Sequence, residues 1–332
     1  MGAKRRIIPL FVPHLGCPHA CVFCDQRAVS GAREPVTAAD VTRTLSEAEA
    51  RFPAGAELAF YGGSFTAIPA DEQEALLSAA APFLERGFLA SLRVSTRPDR
   101  VDGPALARLR RYGVRTVELG AQSMDEAVLR LAGRGHSAED TRRAAALVKA
   151  GGFALVLQMM TGLPGSDWEK DLFTARELLA LEPDGLRVYP TVILRDTALC
   201  ALWRAGKYRE HTVEEAVETC AAILELTEAA GVPVTRLGLN PTEELSAGGA
   251  VAGAYHPALG ELARARLMLR RAERLLRRTP HGEAVTLGVA PERLSQMTGQ
   301  KRENLAALRQ KFGLESIRVK PAAVRDGEVV LL

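Results

Sequence analysis

Three cysteines stand within eight residues near the start of the chain, and their spacing is the strongest chemical signal in the sequence. Cys17, Cys21 and Cys24 form a Cys-x3-Cys-x2-Cys pattern on a short loop. Three thiolates on one loop can bind three irons of a four-iron, four-sulfur cluster and leave the fourth iron open to a substrate or cofactor. The alternative is a zinc site completed by His14 or His19, although no second cysteine or histidine pair follows downstream.

The two remaining cysteines, Cys200 and Cys220, stand alone in apolar helical stretches, so we expect both to be packing residues. An odd total of five cysteines argues against a disulfide framework. The apolar run Ile7–Val12 is too short for a signal peptide, and no stretch reaches the ~18 apolar residues of a membrane span. We therefore expect a cytoplasmic protein that does not associate with membranes.

The elements that must position the cysteine loop alternate short β-rich runs with longer helical stretches. Helices are predicted to begin at Thr37, Asp71, Ser137 and Thr212, each with acidic residues in its first turn. This alternation is typical of βα units, and we predict an α/β fold with a partial parallel (β/α)6 TIM-like barrel. The six predicted strands, each mostly apolar as a strand buried on both faces should be, are Ile7–Val12, Leu58–Tyr61, Leu92–Ser95, Thr116–Leu119, Leu155–Gln158 and Gly185–Tyr189.

Polar and glycine-rich segments follow or end the predicted strands, which is where a parallel barrel collects its catalytic groups. Gly62 and Gly63 follow the second strand, and paired glycines let a backbone approach a ligand closely. Gln158 lies inside an apolar run, where its amide needs a hydrogen-bond partner. For this residue and Gln122, an internal network of satisfied amides is the alternative to ligand binding. The other polar residues on the predicted rim are Ser64, Ser95 and Arg97.

The composition of the 332-residue chain, 47% hydrophobic and 25% charged, excludes disordered, collagen-like and coiled-coil classes. Its formal net charge of +3 is segregated, because fifteen Lys and Arg stand against eight Asp and Glu from Glu261 to Leu332. Seven arginines crowd a predicted helix over Glu261–Arg278, which favours either an anionic partner or a solvated face packed by its aliphatic stems. We predict two domains: a barrel over residues 1–245, and the basic helix with a small α/β appendage over residues 246–332.

The cysteine loop, with Phe23 just before its third cysteine, resembles the signature of radical S-adenosylmethionine enzymes. This resemblance implies that Cys17, Cys21 and Cys24 hold a 4Fe–4S cluster whose open iron binds S-adenosylmethionine. It also implies reductive cleavage of that cofactor to methionine and a 5′-deoxyadenosyl radical that abstracts hydrogen from substrate. A reductant such as ferredoxin or flavodoxin would supply the electron.

The same resemblance assigns cofactor contacts on the rim. A glycine-rich motif like Gly62-Gly63-Ser64 holds the methionine amino group through its backbone, and Ser64 replaces the acidic residue of many members. Gln122 and Gln158 match positions that contact the ribose and adenosine side, while Arg134 matches an arginine that meets the cofactor carboxylate. Ser95 occupies a position often held by glutamate. The expected cofactor-binding set is Gly62, Gly63, Ser64, Ser95, Arg97, Gln122, Arg134 and Gln158.

Longer motifs, in order over about residues 5 to 240, are similar to the radical core of Elongator's catalytic subunit. They are Tyr61–Pro69, Thr96–Asp99, Glu118–Ser123, Arg134–His136, Pro183–Thr191 and Leu202–Tyr208. Elongator's subunit has a longer gap between its first two cysteines, whereas the x3 spacing here is that of the general superfamily and of its coproporphyrinogen-oxidase-like branch. About ninety residues follow residue 240. We therefore expect no acetyl-CoA-binding acetyltransferase domain and no carboxymethyl transfer from acetyl-CoA.

These resemblances predict a radical enzyme that modifies a tRNA or other RNA base. The turn Gly299-Gln300-Lys301-Arg302 faintly resembles the RNA-clamping loop of KH domains, although Arg302 stands where that motif has its second glycine. Two alternatives stay open. One is a small-molecule or porphyrin-related radical enzyme, and the other is a cluster-bearing binding or carrier protein without catalysis.

Overall fold

The structure, a computed structural model, describes residues 6–12, 17, 21–25, 36–242 and 245–332. In this part of the chain the strands are β1 (Ile7–Phe11), β2 (Ala56–Tyr61), β3 (Leu89–Thr96), β4 (Val114–Gln122), β5 (Ala154–Thr161), β6 (Gly185–Pro190), β7 (Val192–Leu194), β8 (Val234–Leu237), β9 (Ala250–Gly253), β10 (Ala284–Val289), β11 (Ser316–Pro321) and β12 (Val329–Leu331). The main sheet is a curled half-barrel with the order β1-β2-β3-β4-β5-β6-β8, and all its neighbouring strands are parallel.

The helices follow the strands as βα units predict. They are α1 (Ala38–Glu49), α2 (Ala70–Glu85), α3 (Gly103–Arg111), α4 (Glu126–Leu131), α5 (Ala138–Ala150), α6 (Trp168–Leu179), α7 (Ala198–Arg204), α8 (Val213–Ala229), α9 (Leu259–Arg278), α10 (Leu294–Thr298) and α11 (Glu303–Phe312). Thr37, Ser137 and Thr212 each cap a helix through a capping box, which confirms three of the predicted starts. Among the described residues, no helix is long and apolar enough to cross a membrane.

All six predicted strands are present within a few residues of their expected bounds, so the predicted α/β barrel is confirmed. The sheet also contains a seventh strand, β8, which the sequence analysis missed. This strand has four residues and is only partly buried, with Arg236 in its middle. Its apolar signal is therefore too short and too interrupted to be read as a buried strand.

The two faces of the main sheet differ in polarity, which corrects the expectation of strands that are apolar on both faces. The convex face packs against the helices through large apolar side chains, among them Leu58, Phe60, Leu119 and Leu157, which are fully buried. The concave face carries charged and polar side chains that alternate with them along the same strands. In these parallel strands, polar residues at every second position therefore mark the polar interior of the half-barrel and not a solvent-exposed face.

A smaller unit follows the barrel. Its sheet has the order β11-β10-β12, with β10 and β11 parallel and β10 and β12 antiparallel. Helix α9 contributes to two cores, because Ala263 and Leu267 pack into the barrel core whereas Met268 and Leu276 pack into the core of the smaller unit. The division at residues 245 and 246 stays a prediction, and α9 connects the two parts as one continuous helix.

The arginines of α9 have a role that the sequence analysis did not weigh. Arg266 and Arg270 pair with Glu218 of α8, Arg274 pairs with Glu225 and Arg271 pairs with Glu228. The adjacent helix thus neutralises most of the basic stripe within the chain. Neither an anionic partner nor a simple solvated face describes these side chains.

Candidate active site

The cysteine loop follows β1 and is anchored to two other elements by its backbone. The amide of Val22 donates to the carbonyl oxygen of Ala132 at 3.1 Å, and the Val22 carbonyl accepts from the amide of Leu199 at 2.7 Å. Phe23 packs against Val128, Ala132 and Leu163. The aromatic residue before the third cysteine thus fixes the loop against the segments that follow β4 and β5.

All three cysteine side chains of this loop are partly exposed, and they lie close together. The amide of Cys24 donates to the carbonyl oxygen of Cys21 at 3.1 Å, which closes a tight turn between them. Burial raises the pKa of Cys24 to about 12, and the neighbouring thiols of Cys21 and Cys17 add to that shift. His14 and His19, the residues of the zinc alternative, lie outside the described residues. Cys200 and Cys220, by contrast, are buried within apolar clusters.

Arg134 lies directly beside the cysteine loop, almost fully buried. Its Nη1 is 3.2 Å from the Sγ of Cys21, and its Nη2 donates to the carbonyl oxygen of Gly120 at 2.6 Å. Its Nε is buried and has no hydrogen-bond partner in the described part of the chain. Arg97 donates to the backbone carbonyl of Arg134 and, at 2.9 Å, to Asp99. The Arg97 guanidinium therefore holds the backbone of Arg134 through this hydrogen bond. The place of Arg97 itself among the cofactor ligands stays a prediction.

The end of β4 is distorted where the two predicted glutamines meet. The register shifts between Gly120 and Gln122, and Gln122 takes a φ of 65°, a strained value for a residue with a side chain. Gln158 of β5 donates from Nε2 to the Oε1 of Gln122 at 3.2 Å. A Cβ at Gly120 would lie 2.9 Å from the side-chain Nε2 of Gln122, so a larger residue there would displace that amide. The amides pair with each other, and their contact with a cofactor stays a prediction.

The glycine pair after β2 adopts the left-handed backbone that its residue type permits, with φ values of 73° at Gly62 and 52° at Gly63. Ser64 is fully buried, and its Oγ lies 3.1 Å from the hydroxyl of Thr96 and accepts from the amide of Arg97. The Ser64 hydroxyl is therefore already engaged within the protein, and the place of this residue among the cofactor contacts stays a prediction. Ser95 is half-buried on β3, next in register to Glu118 on the concave face.

The concave face carries a charged network that the sequence analysis missed. Glu118 is fully buried, and it accepts from Arg93 at 2.7 Å, from Arg187 at 2.5 Å and from the hydroxyl of Tyr61 at 3.2 Å. Arg93 also donates to Glu57 at 2.9 Å. Burial disfavours the charged form of Arg187, but the Glu118 carboxylate together with Tyr189 and Tyr61 outweighs it and raises the pKa of Arg187 above its ordinary value. The sequence signal that could have indicated this network is the recurrence of charged residues inside otherwise apolar strand segments.

A separate cavity of about 640 Å³ is lined by the loop that follows β5 and by the segment that precedes α8. Its lining includes Asp171, Tyr208 and His211 but none of the predicted cofactor residues. Asp171 accepts from the Gly162 amide at 2.9 Å and from the Ser166 hydroxyl, and burial raises its pKa to about 7. Burial lowers the pKa of His211 to about 4. These contacts hold the β5 loop in place.

The arrangement fits a 4Fe–4S cluster with a carboxylate-bearing cofactor. Each cysteine of such a cluster binds a different iron, so the sulfurs need not converge on one point. Among the described residues, no three His, Cys, Asp or Glu side chains do converge as the ligands of a single ion would. The unpartnered Nε of Arg134, beside Cys21, offers a buried donor to a carboxylate.

Comparison with known families agrees with this geometry. The family model of the Radical SAM superfamily matches residues 11–178, and the Radical SAM C-terminal domain matches residues 183–271. The chain belongs to the radical SAM superfamily. Enzymes of this superfamily use a 4Fe–4S cluster and S-adenosylmethionine, so these are the cofactors of the chain.

Similar proteins narrow the relationship further. Elongator complex protein 3 of Homo sapiens is 30% identical over 231 residues, which is 64% of this chain and 41% of that protein. The tRNA uridine(34) acetyltransferase of Methanocaldococcus jannaschii is 34% identical over 131 residues, 39% of this chain and 24% of that protein. The structure of the archaeal Methanocaldococcus infernus Elp3 has a TM-score of 0.64 at 23% identity and covers 81% of this chain and 64% of that one, which shows the shared fold. The chain spans less than half the length of the first two proteins, and its relationship to the radical region of Elongator's subunit is confirmed.

Proposed function

We propose that this radical SAM enzyme modifies a base of tRNA or another RNA. The observation that carries the proposal is its similarity, over the barrel that holds the cysteine loop, to a protein named a tRNA uridine acetyltransferase. The polar concave face beside that loop supports it, because a base must be held by hydrogen bonds and stacking once it leaves its strand. The chain spans only a quarter of that relative, so acetyl transfer is no part of the proposal.

The cofactors supply the radical chemistry, and the protein binds and orients the reacting molecules. Cys17, Cys21 and Cys24 would hold the cluster, which with bound S-adenosylmethionine and one electron from an external reductant such as ferredoxin or flavodoxin would supply the 5′-deoxyadenosyl radical and methionine. The protein must bind and orient both molecules, which is the role proposed for Arg134 and for the glycine pair Gly62 and Gly63. The buried network around Glu118 stiffens the concave wall against which the base would lie.

The arginines of α9 are largely paired with α8. The surface that contacts RNA therefore has to lie on another part of the chain. The smaller unit instead exposes several cations that form no ion pair with any described residue. Unpaired, solvated cations are the groups that release counterions on meeting phosphates, so they are the better candidates for RNA contact. They are Lys301, Arg302, Arg318, Lys320 and Arg325.

The decisive experiment is mass spectrometry of tRNA and rRNA nucleosides from a strain that lacks the gene. We expect one modified nucleoside to disappear, to return with the wild-type gene and to stay absent with a Cys21→Ala variant. A Cys220→Ala variant is the matched control, because this thiol is fully buried in the barrel core and outside the apolar cluster that packs against the cysteine loop, and it should restore the nucleoside. An unchanged nucleoside profile would refute the RNA proposal and favour a small-molecule substrate.

A binding experiment tests the surface separately. The double variant Arg318→Gln/Lys320→Gln should weaken tRNA binding and flatten its salt dependence, by about one unit of slope for each phosphate that the variant no longer binds. The double variant Arg270→Gln/Arg274→Gln removes the same charge from paired arginines and should bind tRNA as the wild type does. Equal weakening by both pairs would show that net charge, and not this surface, governs binding.

A further inference from the structure

The charges on the concave face do not balance. Glu57 and Glu118 are ion-paired with Arg93 and Arg187, two carboxylates against two guanidinium groups. Arg236 on β8 adds a third cation to this wall. In the described part of the chain, no carboxylate lies within ion-pair distance of it, and the only hydrogen bond of its side chain runs from Nε to the Gly238 carbonyl at 2.9 Å. Both terminal nitrogens of Arg236 therefore lack an anionic partner.

The register of the sheet places Arg236 level with the predicted cofactor site. Gly120 pairs with Gln158, Gln158 pairs with Arg187, and Arg187 pairs with Arg236. Residues paired across parallel strands point to the same face, so these four side chain positions form one row across the concave wall. The cysteine loop and the predicted cofactor contacts belong to β1 through β5. The end of the row on β6 and β8 carries no predicted cofactor contact, so it is the part of the concave face that is available to a substrate.

Two tyrosines lie beside Arg187, Tyr189 on β6 itself and Tyr61, which approaches from β2. The Arg187 guanidinium lies 4.7 Å from the ring centre of Tyr61 and 5.7 Å from that of Tyr189. Tyr189 is half-buried, and the Arg187 and Arg236 cations both oppose the rise in its pKa that burial causes. Desolvation and the nearby Arg187 lower the pKa of Arg236 below its ordinary value. A half-buried guanidinium with like charge beside it and no counter-ion is costly unless an anion arrives.

We propose that Arg236 binds a phosphate group of the substrate, with the aromatic wall of Tyr189 and Tyr61 beside it, so that the substrate is a nucleotide. This inference rests on the proposed function and deepens it, because the nucleotide belongs to an RNA strand if that function is correct. A guanidinium presents paired N–H donors that match phosphate oxygens, and tyrosine rings accept a stacked base. The phosphate of a free nucleotide offers the same chemistry, and the experiments below distinguish the two sources.

The direct test compares uridine 5′-monophosphate with uridine on the full-length, cluster-reconstituted chain by isothermal titration calorimetry. The wild type should bind the nucleotide at least about ten-fold more tightly than the nucleoside, the scale of one charge-assisted contact. Arg236→Gln should remove that preference while leaving the affinity for uridine unchanged, and Arg236→Lys should keep part of it. Arg115→Gln is the matched control, because Arg115 is exposed on β4 and the variant loses the same charge. It should bind as the wild type does.

The outcomes separate this inference from the proposed function. A wild type that binds uridine and its monophosphate equally, or an Arg236→Gln variant with the preference intact, would overturn the role of Arg236. Loss of the preference in Arg236→Gln together with weaker tRNA binding would support an RNA phosphate. Loss of the preference with unchanged nucleosides in the deletion strain would leave Arg236 a phosphate-binding residue for a free nucleotide and refute the RNA proposal. Circular dichroism and thermal melting of each variant would confirm that the β8 edge is folded.

Discussion

Replacement of Glu118 by Gln tests whether the concave network holds the barrel together. The substitution keeps the volume of the side chain but removes the charge that two arginines share. The side chains of Arg93 and Arg187 are only 15% and 16% exposed, so water cannot replace the missing partner. Removing one member of a buried ion pair costs about 3–5 kcal/mol. Arg93 keeps Glu57, which favours the lower end, about 3 kcal/mol of unfolding free energy.

Equilibrium unfolding in urea, followed by circular dichroism, measures this loss against a matched control. Glu49→Gln breaks a bridge to Arg86 of the same chemistry whose two side chains are 35% and 45% exposed, and we expect a much smaller effect. Adding Arg187→Met to Glu118→Gln should recover part of the loss, because it removes the unpaired cation. If Glu118→Gln is no more destabilising than Glu49→Gln, or if the second substitution recovers nothing, the network does not stabilise the barrel.

Three further predictions follow from other contacts. Arg134→Ala should weaken S-adenosylmethionine binding by about 1.5–3 kcal/mol while iron analysis still finds an intact cluster, and unchanged affinity would place the carboxylate elsewhere. Arg270→Gln/Arg274→Gln should lower the unfolding free energy by about 1 kcal/mol, less at high salt, as measured in urea. Because the pKa of Asp171 is raised to about 7 in the folded state, its stabilising contribution is present at acid pH and is lost as pH rises from about 4 to 7. The difference in unfolding free energy between wild type and Asp171→Asn should decline over that interval, and a constant difference would contradict the raised pKa.

The strands and helices of the barrel could be predicted because local signals and tertiary packing agree. Apolar runs such as Leu155–Gln158 end in glycine-rich or polar turns, and capping residues such as Ser137 mark where helices begin. The three cysteines were recognisable because they lie within one loop. Their ligand role, like the cofactor contacts of Gly62, Gly63, Ser64, Ser95, Arg97, Gln122, Arg134 and Gln158, depends on a cluster and a cofactor that the protein fold alone does not contain.

The concave network could not be read in the same way, since its members are far apart in sequence. Glu57, Arg93, Glu118 and Arg187 each interrupt a strand with one charge, and a single charge in an apolar run says nothing about its partner. Only the register of the five strands β2 to β6 brings them into one network. Arg236 was harder still to find, because its strand itself was too short to predict.

The basic helix shows why segregated charge is not the same as a binding surface. Counted along the chain, the segment from Glu261 onward carries an excess of seven positive charges over its acids. Counted in space, α9 lies against α8, whose Glu218, Glu225 and Glu228 face the arginine stripe. An ion pair within the chain forms at an effective concentration that no dissolved polyanion matches, so the helix–helix interface takes these cations first. What remains for a nucleic acid is the set of cations without an ion-pair partner, and in the described part of the chain these include Lys301, Arg302, Arg318, Lys320 and Arg325 on the small C-terminal unit and Arg236 on the concave wall.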